Sequence, residues 1–321
     1  MIEANKECDL SIRIGGLVLP NPVMFASGTF GNIVDGYPIA NLSRLGAIVP
    51  KTVTFSPRIG NPPPRTVETP AGMLNSIGLD NDGLMAFLER RLPALSTIGP
   101  PVIVSIAAKD EDEFVKMAEI LDAAQGVSAV ELNLSCPNVA GGIDFASDPR
   151  KCHVLVARVR QRFSRAILAK LTPNTGDIAT IARAAADAGA DAITAVNTLL
   201  GLAVDWRRRR SRLGGFFGGL SGPAIKPVAL RCVYQIAHAV DIPVIAAGGV
   251  TNVDDAMEFF VVGASAIQVG TASFFHPMAA WEIIDALPSA LRELGAYSIR
   301  EIVKTLCEPR KACDLRKTRE C

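Results

Sequence analysis

The residues best suited to chemistry stand together at Asn133, Ser135 and Cys136. They offer an amide, a hydroxyl and a thiol. They close an apolar run, Ala129-Val130-Glu131-Leu132-Asn133-Leu134, and Pro137 follows at once. Proline brings no N–H to a ladder, so the run reads as a buried strand that stops there. A strand has period two, so Asn133 and Ser135 lean one way and Cys136 the other unless the chain bends. Free cysteine is usually a small core hydrophobe. A thiol at a strand end, before proline and beside polar groups, reads instead as a reactive group.

The same pattern recurs along the chain. Eight short apolar runs are present: Val23–Ser27, Ala47–Thr52, Val102–Ile106, Ala129–Leu134, Ala166–Leu171, Ala192–Asn197, Pro243–Gly248 and Ala266–Thr271. Polar or glycine residues close them: Ser27, Lys51 with Thr52, Ser105, Asn133, Lys170, Asn197 with Thr198, Gly248 with Gly249, and Gly270 with Thr271. Two lysines at buried strand ends need anionic or polar partners, because a desolvated ammonium is costly. The glycine-rich ends of the last two runs suit a phosphate cradle built from bare N–H groups, or else a tight turn into the next helix. One side of the cluster would then hold a phosphorylated cofactor. The other, with Asn75, Asn133, Asn197, Thr198 and Cys136, would hold a small polar substrate.

Helical periodicity separates most of the runs. The stretch from Asp177 to Gly189 has apolar positions three and four apart and a closing glycine. The stretch from Asp254 to Gly263 repeats the plan, with acids at its positive end. Alternating strands and helices imply parallel pairing, and eight units imply closure. The expected fold is an α/β (β/α)8 TIM barrel, whose strand ends meet on one face. A doubly wound sheet is the alternative, but no G-x-G-x-x-G follows the first run. Ser11 to Pro20 alternates about Gly15-Gly16 and reads as an N-terminal β-hairpin within residues 1–20. Two connections, from Val53 to about Leu79 and from Leu199 to about Pro223, are too long for plain crossovers. They hold Asn61-Pro62-Pro63-Pro64-Arg65 and Gly214-Gly215-Phe216-Phe217-Gly218-Gly219, which read as functional loops or as flexible ones. The whole chain, 1–321, is expected to be one barrel domain ending in a polar tail from about residue 305.

Composition narrows the function class. Of 321 residues, 49% are hydrophobic, which suits strands buried on both faces. Net charge is +1, so no nucleic-acid footprint is expected. Arg207–Arg210 reads as a solvated loop or part of a partner surface. No apolar run is long enough to span a membrane, and residues 1–9 lack the apolar h-region expected of a signal peptide. The seven cysteines have no C-x-x-C spacing, so cytoplasmic thiols are expected. The three histidines are scattered, and no metal site is expected.

Several segments then resemble a known family: Asn21 to Gly31, Gly60 to Arg65, Glu68 to Leu79, Asn133 to Val139, Asn197 to Gly201, Gly218 to Pro227, and Val269 to Ala272. They run in order along nearly the whole chain and are similar to class 1 dihydroorotate dehydrogenase. The prolines after Asn61-Pro62 and the Met-Leu before Asn75 resemble the 1B branch. The resemblance implies FMN as cofactor and (S)-dihydroorotate as substrate, giving orotate in pyrimidine biosynthesis. Cys136 would be the general base at C5, while a hydride leaves C6 for the flavin. Ser27, Lys51, Thr52, Ser105, Asn133 and Lys170 would line FMN, as would Val196, Gly222, Gly248, Gly249, Gly270 and Thr271. The substrate would meet Lys51, Asn75, Ser76, Ile77, Gly78, Leu79, Asn133, Asn197 and Thr198. The loop 138–142 would be a lid. A separate subunit carrying FAD and a 2Fe-2S cluster would pass electrons to NAD, with a homodimer of this chain inside a heterotetramer. Alternatives are a 1A-like, fumarate-dependent enzyme, a related dihydropyrimidine dehydrogenase, a Schiff-base aldolase or lyase using Lys170 or Lys51, and a catalytically silent phospholigand-binding barrel.

Overall fold

The computed structural model describes residues 7–29, 41–135 and 145–307. Its centre is a ring of parallel strands: β1 (Val23–Phe25), β2 (residues 47–53), β3 (Ile103–Ile106), β4 (Ala129–Asn133), β5 (Ala166–Leu171), β6 (Ala192–Ala195), β7 (Val244–Ala247) and β8 (Ala266–Val269). Seven of them form one sheet, in the order β1-β8-β7-β6-β5-β4-β3. The extended β2 closes the gap through bridges Met24 to Ala47, Ile48 to Val102 and Val53 to Ile106. The Gly46 N–H donates to Val23 O at 2.8 Å and the Val53 N–H to Ser105 O at 2.9 Å. The barrel expected from the eight runs is therefore present.

Both faces of each strand are buried, so the runs read as continuously apolar, yet the pleat still sorts them. Val23, Val130, Leu132, Ile167, Ile193 and Ile267 face the outer helices in the main core. Met24, Ile103, Ala129, Leu168, Ala192 and Ile245 fill the barrel interior. Hairpin residues Ile12, Ile14 and Leu19 plug that apolar layer from below. Fully burying each such side chain contributes roughly 1.5–3 kcal/mol. Two residues further along the strands the interior turns polar, with Ser105, Glu131, Lys170, Thr194 and Gln268 all buried. Buried polar atoms need partners, and this layer supplies them mutually.

The outer helices start on side-chain caps. Asp110, Asp177 and Asn252 accept backbone N–H bonds at the starts of Glu111–Ala123, Ile178–Asp187 and Val253–Val262. Gly263 ends the last of these at φ +127°, a conformation that side-chain-bearing residues rarely adopt.

The two long connections are ordered, and together they make one element. Thr66–Thr69 pairs with Gly72–Asn75, which pairs with Gly218–Ser221, which pairs with Leu199–Gly201, all antiparallel. This four-stranded sheet roofs one side of the barrel mouth. The basic run lies at the exposed end of a small ribbon, Val204–Asp205 with Arg210–Ser211, where the Arg207 guanidinium sits 4.3 Å from the Trp206 ring centroid. Several strands stop before the expected run does: β1 at Phe25, β6 at Ala195, β8 at Val269. The polar residues beyond them leave the ladder and line the barrel mouth.

Candidate functional site

A cleft of about 260 Å³ opens at the C-terminal ends of the strands, beneath the antiparallel roof. Its floor is the polar layer. The Lys170 ammonium donates to Glu131 Oε1 at 3.3 Å and to Gln268 Oε1 at 2.8 Å. Gln268 Nε2 donates to Glu131 Oε2 at 2.7 Å, and the Thr194 hydroxyl reaches the same oxygen at 3.2 Å. Lys170 and Gln268 show a face to the cleft, whereas Glu131 is fully buried behind them.

One wall is a chain of hydroxyls. Ser27 Oγ donates to Pro50 O at 2.8 Å, so its oxygen accepts from Thr52 Oγ1, also at 2.8 Å. Thr52 Oγ1 in turn lies 2.9 Å from Ser105 Oγ, which leaves Ser105 as the donor. Lys51 stands beside them, and Gly28 leaves it room, since a Cβ there would lie 3.2 Å from Lys51 Cδ.

The opposite side is built from amides. Asn197 Nδ2 donates to Asn133 Oδ1 at 3.3 Å and to Ser135 Oγ at 2.9 Å. Asn197 Oδ1 accepts the Thr198 N–H at 2.8 Å. The Asn133 amide nitrogen has no partner among the described residues. Asn174 Nδ2 holds Thr198 O at 2.9 Å. From the roof, Asn75 faces the same space and donates weakly to Gly219 O at 3.4 Å.

The third side is glycine. Gly222, Gly248, Gly249 and Gly270 line it together with Thr271. Gly249 has φ +85°, and a Cβ on it would meet Lys226 Cβ at 2.7 Å. An ion pair fixes that turn: Lys226 Nζ donates to Asp255 Oδ1 at 2.6 Å, and Asp255 Oδ2 accepts the Thr251 N–H at 2.8 Å. Burial pushes the Asp255 carboxyl up, but hydrogen bonds from Lys226 and Thr251 outweigh it and hold the group below the usual carboxylate range. The hydrogen bond to Asp255 holds Lys226 above the usual lysine range despite partial desolvation.

Of the expected residues, Ser27, Lys51, Thr52, Asn133, Lys170 and Val196 reach the cleft, as do the four glycines and Thr271. So do Asn75, Ile77, Gly78, Leu79, Asn197 and Thr198. Two stand one layer back. Ser105 is buried behind Thr52, and Ser76 is buried under the roof, where Asn61 Nδ2 donates to its hydroxyl at 2.8 Å. Cys136 and the loop 138–142 lie outside the described residues. Sequence reading passed over Glu131, Gln268, Thr194 and Asn174. Glu131 and Gln268 had a signal: each is a lone polar residue in an apolar strand, two positions before a cleft residue, Asn133 or Gly270.

Comparison with known proteins places this arrangement. The family profile described as dihydroorotate dehydrogenase matches residues 9–291. A protein of Solidesulfovibrio magneticus named dihydroorotate dehydrogenase B (NAD(+)), catalytic subunit, is 50% identical over 289 residues, covering 89% of this chain and 94% of the relative. A protein of the same name from Desulforudis audaxviator is 48% identical over 294 residues, covering 91% and 96%. A third, from Geotalea uraniireducens, is 46% identical over 299 residues, covering 93% and 98%. Among solved structures, that of DHODH from Eimeria tenella, in complex with ferulenol, superposes with a TM-score of 0.77 at 22% identity, covering 95% of this chain and 90% of that one, which speaks for the fold alone. A barrel with lysine, amides and bare glycines gathered at its mouth, in a chain matched over nearly its whole length, belongs to the dihydroorotate dehydrogenase family.

Proposed function

We propose that this chain is the FMN-bearing catalytic subunit of a class 1B dihydroorotate dehydrogenase, oxidising (S)-dihydroorotate to orotate in pyrimidine biosynthesis. One observation carries the reading: Lys51, Lys170, Asn133, Asn197 and the Gly248–Gly249 turn line a single cleft, in a chain 46–50% identical to relatives of that name.

The residues present fit FMN. Gly222 and Gly249 adopt φ +91° and +85°, and a Cβ on either would press within 3.0 Å of a neighbouring element. Backbone N–H groups left bare in this way suit a phosphate. Lys170 keeps one N–H without a partner among the described residues, and it faces the cleft. Gly222, Gly248, Gly249, Gly270 and Thr271 would hold the phosphate end. Ser27, Lys51, Thr52, Asn133, Lys170 and Val196 would hold the ring, with Ser105 orienting Thr52 from behind. FMN, when bound, would supply the acceptor for the hydride leaving substrate C6.

The chain's own residues would do the rest. Asn75, Asn133, Asn197 and Thr198 would bind the substrate's imide and carboxylate, for which paired donors and acceptors are suited. Ile77, Gly78 and Leu79 would close over it from the roof connection, and Ser76 would anchor that segment. Cys136 Sγ would take the C5 proton as general base, a thiol's ordinary pKa being about 8.5. The Schiff-base reading has less support, because Lys170 Nζ is engaged by Glu131 and Gln268.

Electrons would leave for NAD through a separate subunit carrying FAD and a 2Fe-2S cluster, in a heterotetramer around a homodimer of this chain. The words "catalytic subunit" in the relatives' names support a partner. Among the described residues no helix is long and apolar enough to cross a membrane, and we place the protein in the cytoplasm, as one barrel domain. The test is a steady-state assay with NAD, fumarate and quinone as acceptors. NAD reduction only when the FAD/2Fe-2S subunit is added is expected. Turnover with fumarate by the chain alone would assign it to the 1A-like class instead.

A further inference from the structure

We propose that Glu131 is a positioning residue for the flavin: its buried carboxylate fixes Lys170 and sets how much of the ammonium's charge reaches a bound FMN. The inference rests on the reading of the cleft as an FMN site.

Four strands contribute one residue each to a closed cluster. Lys170 from β5 donates to Glu131 of β4 and to Gln268 of β8. Gln268 closes the triangle by donating to the other carboxylate oxygen, and Thr194 of β6 adds a hydroxyl to that same oxygen. Each partner fixes the next. The Gln268 oxygen must face the ammonium because its nitrogen faces the carboxylate. Glu131 has no exposed surface, yet it stands directly behind two residues that line the cleft.

Packing alone does not call for this cluster. The interior layer just below is filled by Ile103, Leu168 and Ile245. Replacing a buried ion pair by apolar side chains is often neutral or stabilising. A carboxylate kept there has an electrostatic consequence. Lys170 and Glu131 together carry no net charge, so the cleft meets a compensated ammonium. A reduced flavin is more negative than an oxidised one and gains more from a bare cation. Glu131 therefore holds the cofactor's potential down while keeping Lys170 aimed.

The test uses the FMN-loaded protein and reads its midpoint potential by dithionite titration against a redox dye. FMN affinity is measured separately by fluorescence quenching on the stripped protein. Glu131→Gln keeps the shape and loses the charge. It should favour reduced FMN by about tenfold, a rise of ~30 mV for a two-electron couple. Thr194→Val removes one donor to the carboxylate, leaves more negative charge on it, and should lower the potential by a smaller amount. Opposite signs in the two variants are what electrostatic tuning requires. Weakened FMN affinity with unchanged potential in both would reduce Glu131 to scaffolding and overturn the proposal. If Glu131→Gln does not fold, an unchanged or raised potential in Thr194→Val overturns it. A wild-type chain that takes up no FMN would sink the functional reading itself, a different result from bound FMN with unmoved potentials.

Discussion

At the scale of single residues, the site depends on polar groups that are tolerable inside the barrel only because they satisfy one another. Lys170 and Glu131 are both buried and ion-paired. Breaking a buried pair by removing one partner costs about 3–5 kcal/mol, so Glu131→Ala and Glu131→Gln should both lower thermal stability, Ala more because it also leaves a cavity. Asn197 bridges Asn133, Ser135 and the Thr198 N–H. Asn197→Ala should raise the dissociation constant for orotate by roughly 2- to 10-fold, a loss of about 0.5–1.5 kcal/mol for a neutral hydrogen bond, with FMN still bound. Orotate titration followed by the flavin spectrum measures it. Cys136→Ala should likewise retain FMN while slowing its reduction by dihydroorotate by about 10²- to 10⁴-fold in single-turnover experiments. Lysines and amides at run ends were legible because they interrupt apolar sequence. Glu131 and Gln268 interrupt apolar sequence too, but they stand inside β4 and β8 rather than at the run ends, and burial on both faces hides the period of two that would say which way they point.

At the scale of elements, the glycine turn and the antiparallel roof shape the cleft. Gly249→Ala forces a Cβ into Lys226 at positive φ, and should cost about 1–3 kcal/mol and weaken FMN retention on dialysis. The Lys226–Asp255 pair gives that turn a pH signature. Asp255 is depressed when folded, so its contribution is present above the unfolded carboxylate value, about 3.9, and is lost as pH falls through the lower folded value. Lys226 is raised when folded, so its contribution is present below about 10.4 and is lost as pH rises through the higher folded value. The melting temperature should not vary through this pair from roughly pH 5 to 9. Asp255→Asn should flatten the acid limb in a melting series, and an unchanged acid limb would count against the clamp. The eight strands and their helices were readable from local periodicity. The roof was not. Gly72–Asn75 pairs with Gly218–Ser221 across nearly half of the chain, and nothing local in either glycine-bearing segment reports the other. Each long connection therefore reads as a loop until both are seen together.

At the scale of the molecule, the barrel separates a rigid, apolar lower half from a polar mouth. Its cysteines report on that division. Burial pushes the Cys152 thiol up to about 12 and raises Cys232 as well. Both should stay unmodified by iodoacetamide at about pH 8 in the native protein and react once denaturant opens the core, as peptide mapping would show. Early labelling of Cys152 would mean that the helix Pro149–Arg160 opens locally. The most direct test of the whole account is anaerobic mixing of the FMN-reconstituted chain with dihydroorotate, following the flavin's visible absorbance. Bleaching of bound flavin, with one orotate formed per flavin reduced, is the predicted result. A chain that fails to bind FMN, or holds it unbleached, would contradict the account.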